Sequence, residues 1–137
     1  MIILSVDYGD MRTGVAVCDK MGILASPVGV IKGDYAPKVA KEINQIAIDK
    51  KAELIVVGLP KNMDGSEGPR AELCRAFAKS LEEALGLPVV LWDERRTTVE
   101  AHNILSQHNY HGKKRKDTVD AVAASLILEG YLGFRGR

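Results

Sequence analysis

Cysteine is scarce in this chain of 137 residues: only Cys18 and Cys74 occur, both in apolar surroundings and without a partner motif. That argues for buried free thiols and against a disulfide-stapled scaffold. Aromatic residues are also few, with one Trp, four Tyr and two Phe, too few for a platform that stacks successive bases of a single strand. Neither sign of charge dominates, since 19 Lys and Arg face 18 Asp and Glu for a net charge of +1. Attraction to a polyanion must therefore come from local clusters. The start, MIILSVD, lacks a basic n-region and a cleavage site, and its apolar run is far too short to span a bilayer, so a cytoplasmic protein is expected. No internal repeat, low-complexity tract or linker interrupts the chain, which predicts one domain over residues 1–137.

Hydrophobic periodicity sets out the elements. Residues 2–6, 14–18 and about 23–31 are β-prone and joined by short Gly-containing connections, which predicts an antiparallel meander. From residue 36 to 50 the period changes, with Val39, Ile43, Ile46 and Ala47 on one helical stripe. AELIVVGLP then reads as a strand covered on both faces. A second helix is expected from Pro69 to Gly86, with Leu73, Ala76, Phe77, Ser80, Leu81 and Ala84 on its packed side. LPVVLW reads as another buried strand. Thr97 and Glu100 form a capping box for a third helix, the segment 109–116 reads as a polar loop, and residues 117–131 form the last helix. This order predicts an α/β domain with a mixed sheet: strand 1 central, and the strands after the helices parallel to it. Sites in such sheets gather at the carboxyl ends of the parallel strands.

Several carboxylates stand where a core or a strand tip is expected. On a helical wheel, Thr118, Ser125 and Glu129 form the wet side of the last helix. Asp120 lies nearly opposite, among Val119, Ala123, Ala124 and Ile127, where an uncompensated carboxylate costs several kcal/mol. Asp117 sits at the edge of the same face. The competing explanation makes Asp117 an N-cap and Asp120 the acid of the first turn. Asp7 ends the first strand on the face of Ile3 and Ser5, although a turn-initiating Asp accounts for it too. Asp93 and Glu94 are adjacent at a strand end, so an extended backbone cannot aim both into one site. Spacing leaves open which of them enters it and which pairs with Arg95 or Arg96. Three acids on three separated elements repel one another unless a divalent cation neutralises them. Hard oxygens favour Mg²⁺ or Mn²⁺ over zinc, and His102, His108 and His111 show no ligand spacing with the acids. Ions held in this way support phosphodiester cleavage.

Two further segments offer contacts to phosphate. GLPKNMDGSEGPRA has small residues that let backbone amides approach a ligand, with Lys61, Asn62 and Ser66 as donors, and it matches neither the P-loop nor the dinucleotide fingerprint. GKKRK places Lys113, Lys114, Arg115 and Lys116 just ahead of the last helix, as a candidate clamp on a nucleic-acid backbone.

The segments DYGDMRTGVAV, SPVGVI, VVGLPKNMDGSEG, WDERRTT and KKRKDTVDAVAASLIL together resemble the YqgF/RuvX family of the ribonuclease H-like superfamily, whose members are described as Holliday junction resolvases or pre-16S rRNA nucleases. The resemblance spans almost the whole chain. It implies an α/β, ribonuclease H-like fold with a five-stranded mixed sheet, antiparallel β1–β3 and then parallel β4 and β5, flanked by helices. It places the family's acids on Asp7, Glu94 and Asp120, with Asp117 as a further candidate ligand. It also makes Arg12, Lys61, Asn62 and Arg95 substrate contacts.

The expected activity is a Mg²⁺- or Mn²⁺-dependent nuclease acting on precursor rRNA or branched DNA. Two rivals are weighed against it. An actin-like phosphotransferase is suggested by Asp7-Tyr8-Gly9 but needs a second phosphate-binding domain for which the chain has no room. A non-catalytic RNA-binding assembly factor would use only the basic segment. A monomer or weak homodimer is expected, and symmetric junction cutting requires the dimer.

Overall fold

The computed structural model describes residues 1–96 and 112–135, with side chains for 1–95 and 121–135. Three strands, β1 (Ile3–Tyr8), β2 (Arg12–Cys18) and β3 (Ala25–Lys32), open the chain, followed by α1 (Ala36–Lys50) and β4 (Leu54–Leu59). Next come α2 (Pro69–Leu85), β5 (Val89–Asp93), a 3-10 turn at Glu94–Arg96, and α3 (Gly112–Phe134). The sheet order is β3-β2-β1-β4-β5. β1–β2 and β2–β3 are antiparallel, while β1–β4 and β4–β5 are parallel. The mixed five-stranded sheet with β1 at its centre is the expected one.

Side-chain alternation divides the core. Leu4 and Val6 of β1 pack with Val39, Ile43, Phe77 and Leu81 under α1 and α2. Ile3 turns to the other face and packs with Val56, Ala124, Ile127 and Leu128 under α3. Each fully buried Ile or Leu contributes about 1.5–3 kcal/mol over its exposed state. Every residue of β4 is buried, as its continuous apolar run requires.

Four local expectations are corrected. β5 is half-buried throughout, because it is an edge strand. The packed face of α2 is Ala71, Cys74, Phe77, Ala78 and Leu81. Leu73, Ala76, Ser80 and Ala84 instead line an open groove of about 420 Å³ between α1 and α2. Ser125, expected on the wet side of the last helix, is 9% exposed and donates to the Ala121 carbonyl at 3.2 Å. Finally, residues 112–116 are helical rather than loop. The strong helix formers of KKRK simply continue the helix that follows them. The capping box at Thr97 and Glu100 and the three histidines lie outside the described residues. Among the described residues, no helix is long and apolar enough to cross a membrane.

Candidate active site

The site begins at the tip of the central strand. Alternation along β1 carries Asp7 to the face that bears Ile3 and Ser5, the side covered by α3. Directly across the antiparallel ladder stands Gly14, which places no side chain beside the carboxylate. The chain then turns back so tightly that a Cβ at Gly9 would stand 2.2 Å from the Arg12 carbonyl oxygen. Only glycine permits that turn.

Two strands away, β5 ends at Asp93, and the 3-10 turn separates the two neighbouring acids. Asp93 is taken by Arg95, whose Nε and Nη2 donate to Oδ2 at 2.9 and 2.6 Å, and whose backbone N–H donates to Oδ1 at 3.0 Å. These bonds hold the Asp93 carboxyl below its usual range. Glu94 turns the other way and shares a hydrogen bond with Asp7. Gly58, at the end of β4, makes room for it: a Cβ there would stand 2.8 Å from Glu94 Cγ and Cδ and 2.7 Å from Ile127 Cδ1.

Burial is the main influence on both carboxyls of the pair. It raises Asp7 above its ordinary value, opposed by the hydrogen bond with Glu94 and by the Arg70 charge. Glu94 is pushed up to about 9, by burial first and then by the charge of Asp7 and the bond to it. Two apposed carboxyls in a low-dielectric place retain a proton between them because they cannot both ionise. A divalent cation is the other way to neutralise such a pair, so the donor set fits a hard metal ion.

Arg70, near the start of α2, braces this end of the sheet. It donates to the Tyr8 carbonyl and to Asp10 Oδ1, and it lies over the Tyr8 ring with Cζ 5.3 Å from the centroid. That ring stacks on Phe77 at 4.0 Å. Sequence reasoning overlooked Arg70 and Gly58. A glycine interrupting an apolar strand is the signal that marks position 58, whereas an arginine in a first helical turn carries none.

The glycine-containing loop after β4 is held mainly by itself. Asn62 Nδ2 donates to Ser66 Oγ at 2.9 Å, and Ser66 donates to Asp64 through its backbone N–H at 2.9 Å and its hydroxyl at 2.6 Å. Lys61 Nζ lies 3.9 Å from Glu67 Oε2. Arg95 Nη1 reaches the Met63 carbonyl at 3.4 Å, joining the loop to the strand tip that carries Glu94. Asn62 and Ser66 are thus engaged in shaping the loop, with Lys61 and Arg95 on its border. Arg12 leaves the turn at the start of β2.

On the far side of the sheet, α3 runs antiparallel to β1. Arg135 meets Met1, Leu132 packs at Gly22, and the Ala124 carbonyl accepts from the buried Ser5 hydroxyl at 2.6 Å. From Ala124 the earlier turns of the helix therefore continue toward the Asp7 end. Position 120 is one turn earlier, and position 117 is seven residues before Ala124, so both fall on the stripe of Ala124 and Ile127. Because α3 begins at Gly112, Asp117 is not its N-cap. The side chains of Asp117, Asp120, Lys113, Lys114, Arg115 and Lys116 lie outside the described ones. Among the described residues the structure brings together two acids, Asp7 and Glu94, and no cluster of three or more potential ligands.

The architecture is that of the ribonuclease H-like resolvases. The structure of Thermus thermophilus RuvC in complex with Holliday junction substrate superposes with a TM-score of 0.61 at 11% identity, covering 99% of this chain and 97% of that one. The Fowlpox virus resolvase in complex with Holliday junction DNA gives 0.59 at 14% identity over 100% of both chains. At these identities the likeness establishes the fold.

Sequence similarity carries the assignment further. The chain belongs to the family described as "RuvX: Holliday junction resolvase", whose model matches residues 1–133. A relative from Halothermothrix orenii named "Putative pre-16S rRNA nuclease" is 48% identical, covering 100% of this chain and 98% of its own length. A relative of the same name from Pelotomaculum thermopropionicum is 45% identical over 100% of this chain and 90% of its own.

Proposed function

We propose that this protein is a Mg²⁺- or Mn²⁺-dependent nuclease that hydrolyses phosphodiester bonds in structured nucleic acid in the cytoplasm. The observation that carries the reading is the apposition of Asp7 and Glu94, two half-buried carboxyls sharing a hydrogen bond at the carboxyl ends of β1 and β5. Asp7, Glu94 and Asp120 would hold the ion, with Asp117 as a further ligand. The phase of positions 117 and 120 on α3 supports their inclusion. Bound there, a divalent ion supplies charge to a phosphate and acidity to water.

The chain's own residues hold and orient the substrate. Gly9 and Gly14 keep the turn beside Asp7 slim, so a backbone phosphate can come close to the acid pair. Lys61, Arg95 and Arg12 border that approach, Asn62 and Ser66 fix the loop that presents Lys61, and residues 113–116 add charge for phosphates further along the strand. Asp93 orients Arg95 and is not assigned to the ion.

The names of the relatives favour the 5′ end of precursor 16S rRNA as substrate, and the resolvase fold keeps branched DNA in view. Purified protein incubated with Mn²⁺ and either a precursor 16S rRNA fragment or a four-way DNA junction decides between them. Endonucleolytic cleavage of the rRNA by a monomer supports the processing role, and paired symmetric cuts in the junction by a dimer support resolution. Cleavage of neither, with RNA binding intact, would overturn the nuclease reading in favour of a non-catalytic assembly factor.

A further inference from the structure

The guanidinium of Arg70 is fixed on two sides by the framework of the fold. Nη2 donates to the Tyr8 backbone carbonyl, and the plane lies over a Tyr8 ring that is itself stacked on Phe77 with an interplanar angle of 9°. Its third partner is of another kind. Asp10 Oδ1 accepts from Nη1 at 2.6 Å, but the Asp10 side chain is 79% exposed while that of Arg70 is 33% exposed. Ion pairs this open to solvent contribute little net stability. A competing oxyanion can therefore replace the carboxylate at small cost. Arginine's planar fork also suits a phosphate with two parallel hydrogen bonds. The location is right as well, because the charge of Arg70 acts on both Asp7 and Glu94.

We propose that Arg70 is a binding site for a backbone phosphate of the substrate strand next to the acid pair, and that Asp10 occupies this site until the phosphate displaces it. The inference rests on the nuclease reading above. Its ligand is the phosphodiester oxyanion, which RNA and DNA share. Arg70 thereby has two tasks: it ties α2 to the β1–β2 turn, and it offers a preorganised cation to the strand being cut. Asp10 keeps that cation paired between encounters and sets a threshold against weakly bound anions.

The test measures binding without turnover. In an Asp7→Asn background, a labelled precursor 16S rRNA fragment and a labelled four-way DNA junction are titrated by fluorescence anisotropy at several salt concentrations. Arg70→Gln should weaken binding roughly tenfold, the scale of one strong charge-assisted contact. It should also reduce the slope of log K against log[salt] by about 0.7–0.9, the value of one phosphate contact. Asp10→Asn leaves Arg70 and its framework contacts in place and should tighten binding severalfold. An effect on one probe alone identifies that nucleic acid as the source of the phosphate. If Arg70 serves only as a structural tie, both variants lower the melting temperature, the salt slope stays unchanged and Asp10→Asn does not tighten binding; that result overturns the inference and leaves the nuclease reading standing. If the parent protein binds neither probe, the nuclease reading falls and the phosphate site with it.

Discussion

Glu94 occupies the space that a side chain at position 58 would fill: its Cδ lies 2.8 Å from where a Cβ on Gly58 would stand. The end of β4 is bare so that the acid following β5 can cross over it to Asp7. Gly58→Ala should therefore act on the site more than on the fold. Its near neighbours are the flexible ends of Glu94 and Ile127, so the overpacking cost should stay at about 1–3 kcal/mol. Displacement of the carboxyl should lower turnover by roughly 100-fold, as misplaced catalytic groups do. Thermal melts and cleavage rates on the same preparation check both halves.

The acid pair sets a pH dependence whose sign follows from its environment. Glu94 titrates near 9 in the folded protein against an ordinary value of 4.5. Its contribution to stability is therefore fully present below 4.5 and is lost as pH rises toward 9. Without divalent ions, the protein should melt at progressively lower temperature between these limits. Glu94→Gln should remove much of that slope, melting above the parent at pH 8 and converging with it near pH 4.5. Added Mn²⁺ should raise the melting temperature of the parent at pH 8 and leave Glu94→Gln nearly unchanged. Calorimetric melts with and without chelator measure all three effects.

Ser5 has a mechanical task. Its buried hydroxyl donates to the Ala124 carbonyl at 2.6 Å, fixing the height of α3 against the central strand. Ser5→Ala should cost about 1 kcal/mol through the lost bond, since the Ala124 carbonyl keeps its place in the helical ladder. Activity should fall with it, because the same contact sets how far position 120 stands from Asp7. A variant that melts earlier but cleaves at the parent rate would show that α3 is placed by its apolar face alone.

Legibility from sequence followed the physical range of each signal. The central place of β1, the doubly covered β4 and the buried stripe of α1 were readable because burial imposes a period on local sequence. The choice between Asp93 and Glu94 was not readable from spacing, since it depends on a 3-10 turn and on Arg95 closing back on Asp93. The packed face of α2 was misjudged because small and apolar residues line both its core side and the groove toward α1. The start of α3 was read late, since a run of cations looks like loop even though Lys and Arg are good helix formers. Arg70 was missed because its partners, Tyr8 and Asp10, are 60 or more residues away along the chain.

The most direct test is single-turnover cleavage by Asp7→Asn beside the parent protein, with Mn²⁺ and the substrate that the parent cuts. Asp7 is the acid at the centre of the sheet, and the amide is nearly isosteric with the carboxyl, so the variant should fold like the parent and, without the charge that Asp7 sets against Glu94, melt no lower than it at neutral pH. The account predicts a loss of at least roughly 100-fold in the cleavage rate, on the scale of a removed charge at a catalytic centre. Unchanged turnover by Asp7→Asn in the presence of the metal would contradict it.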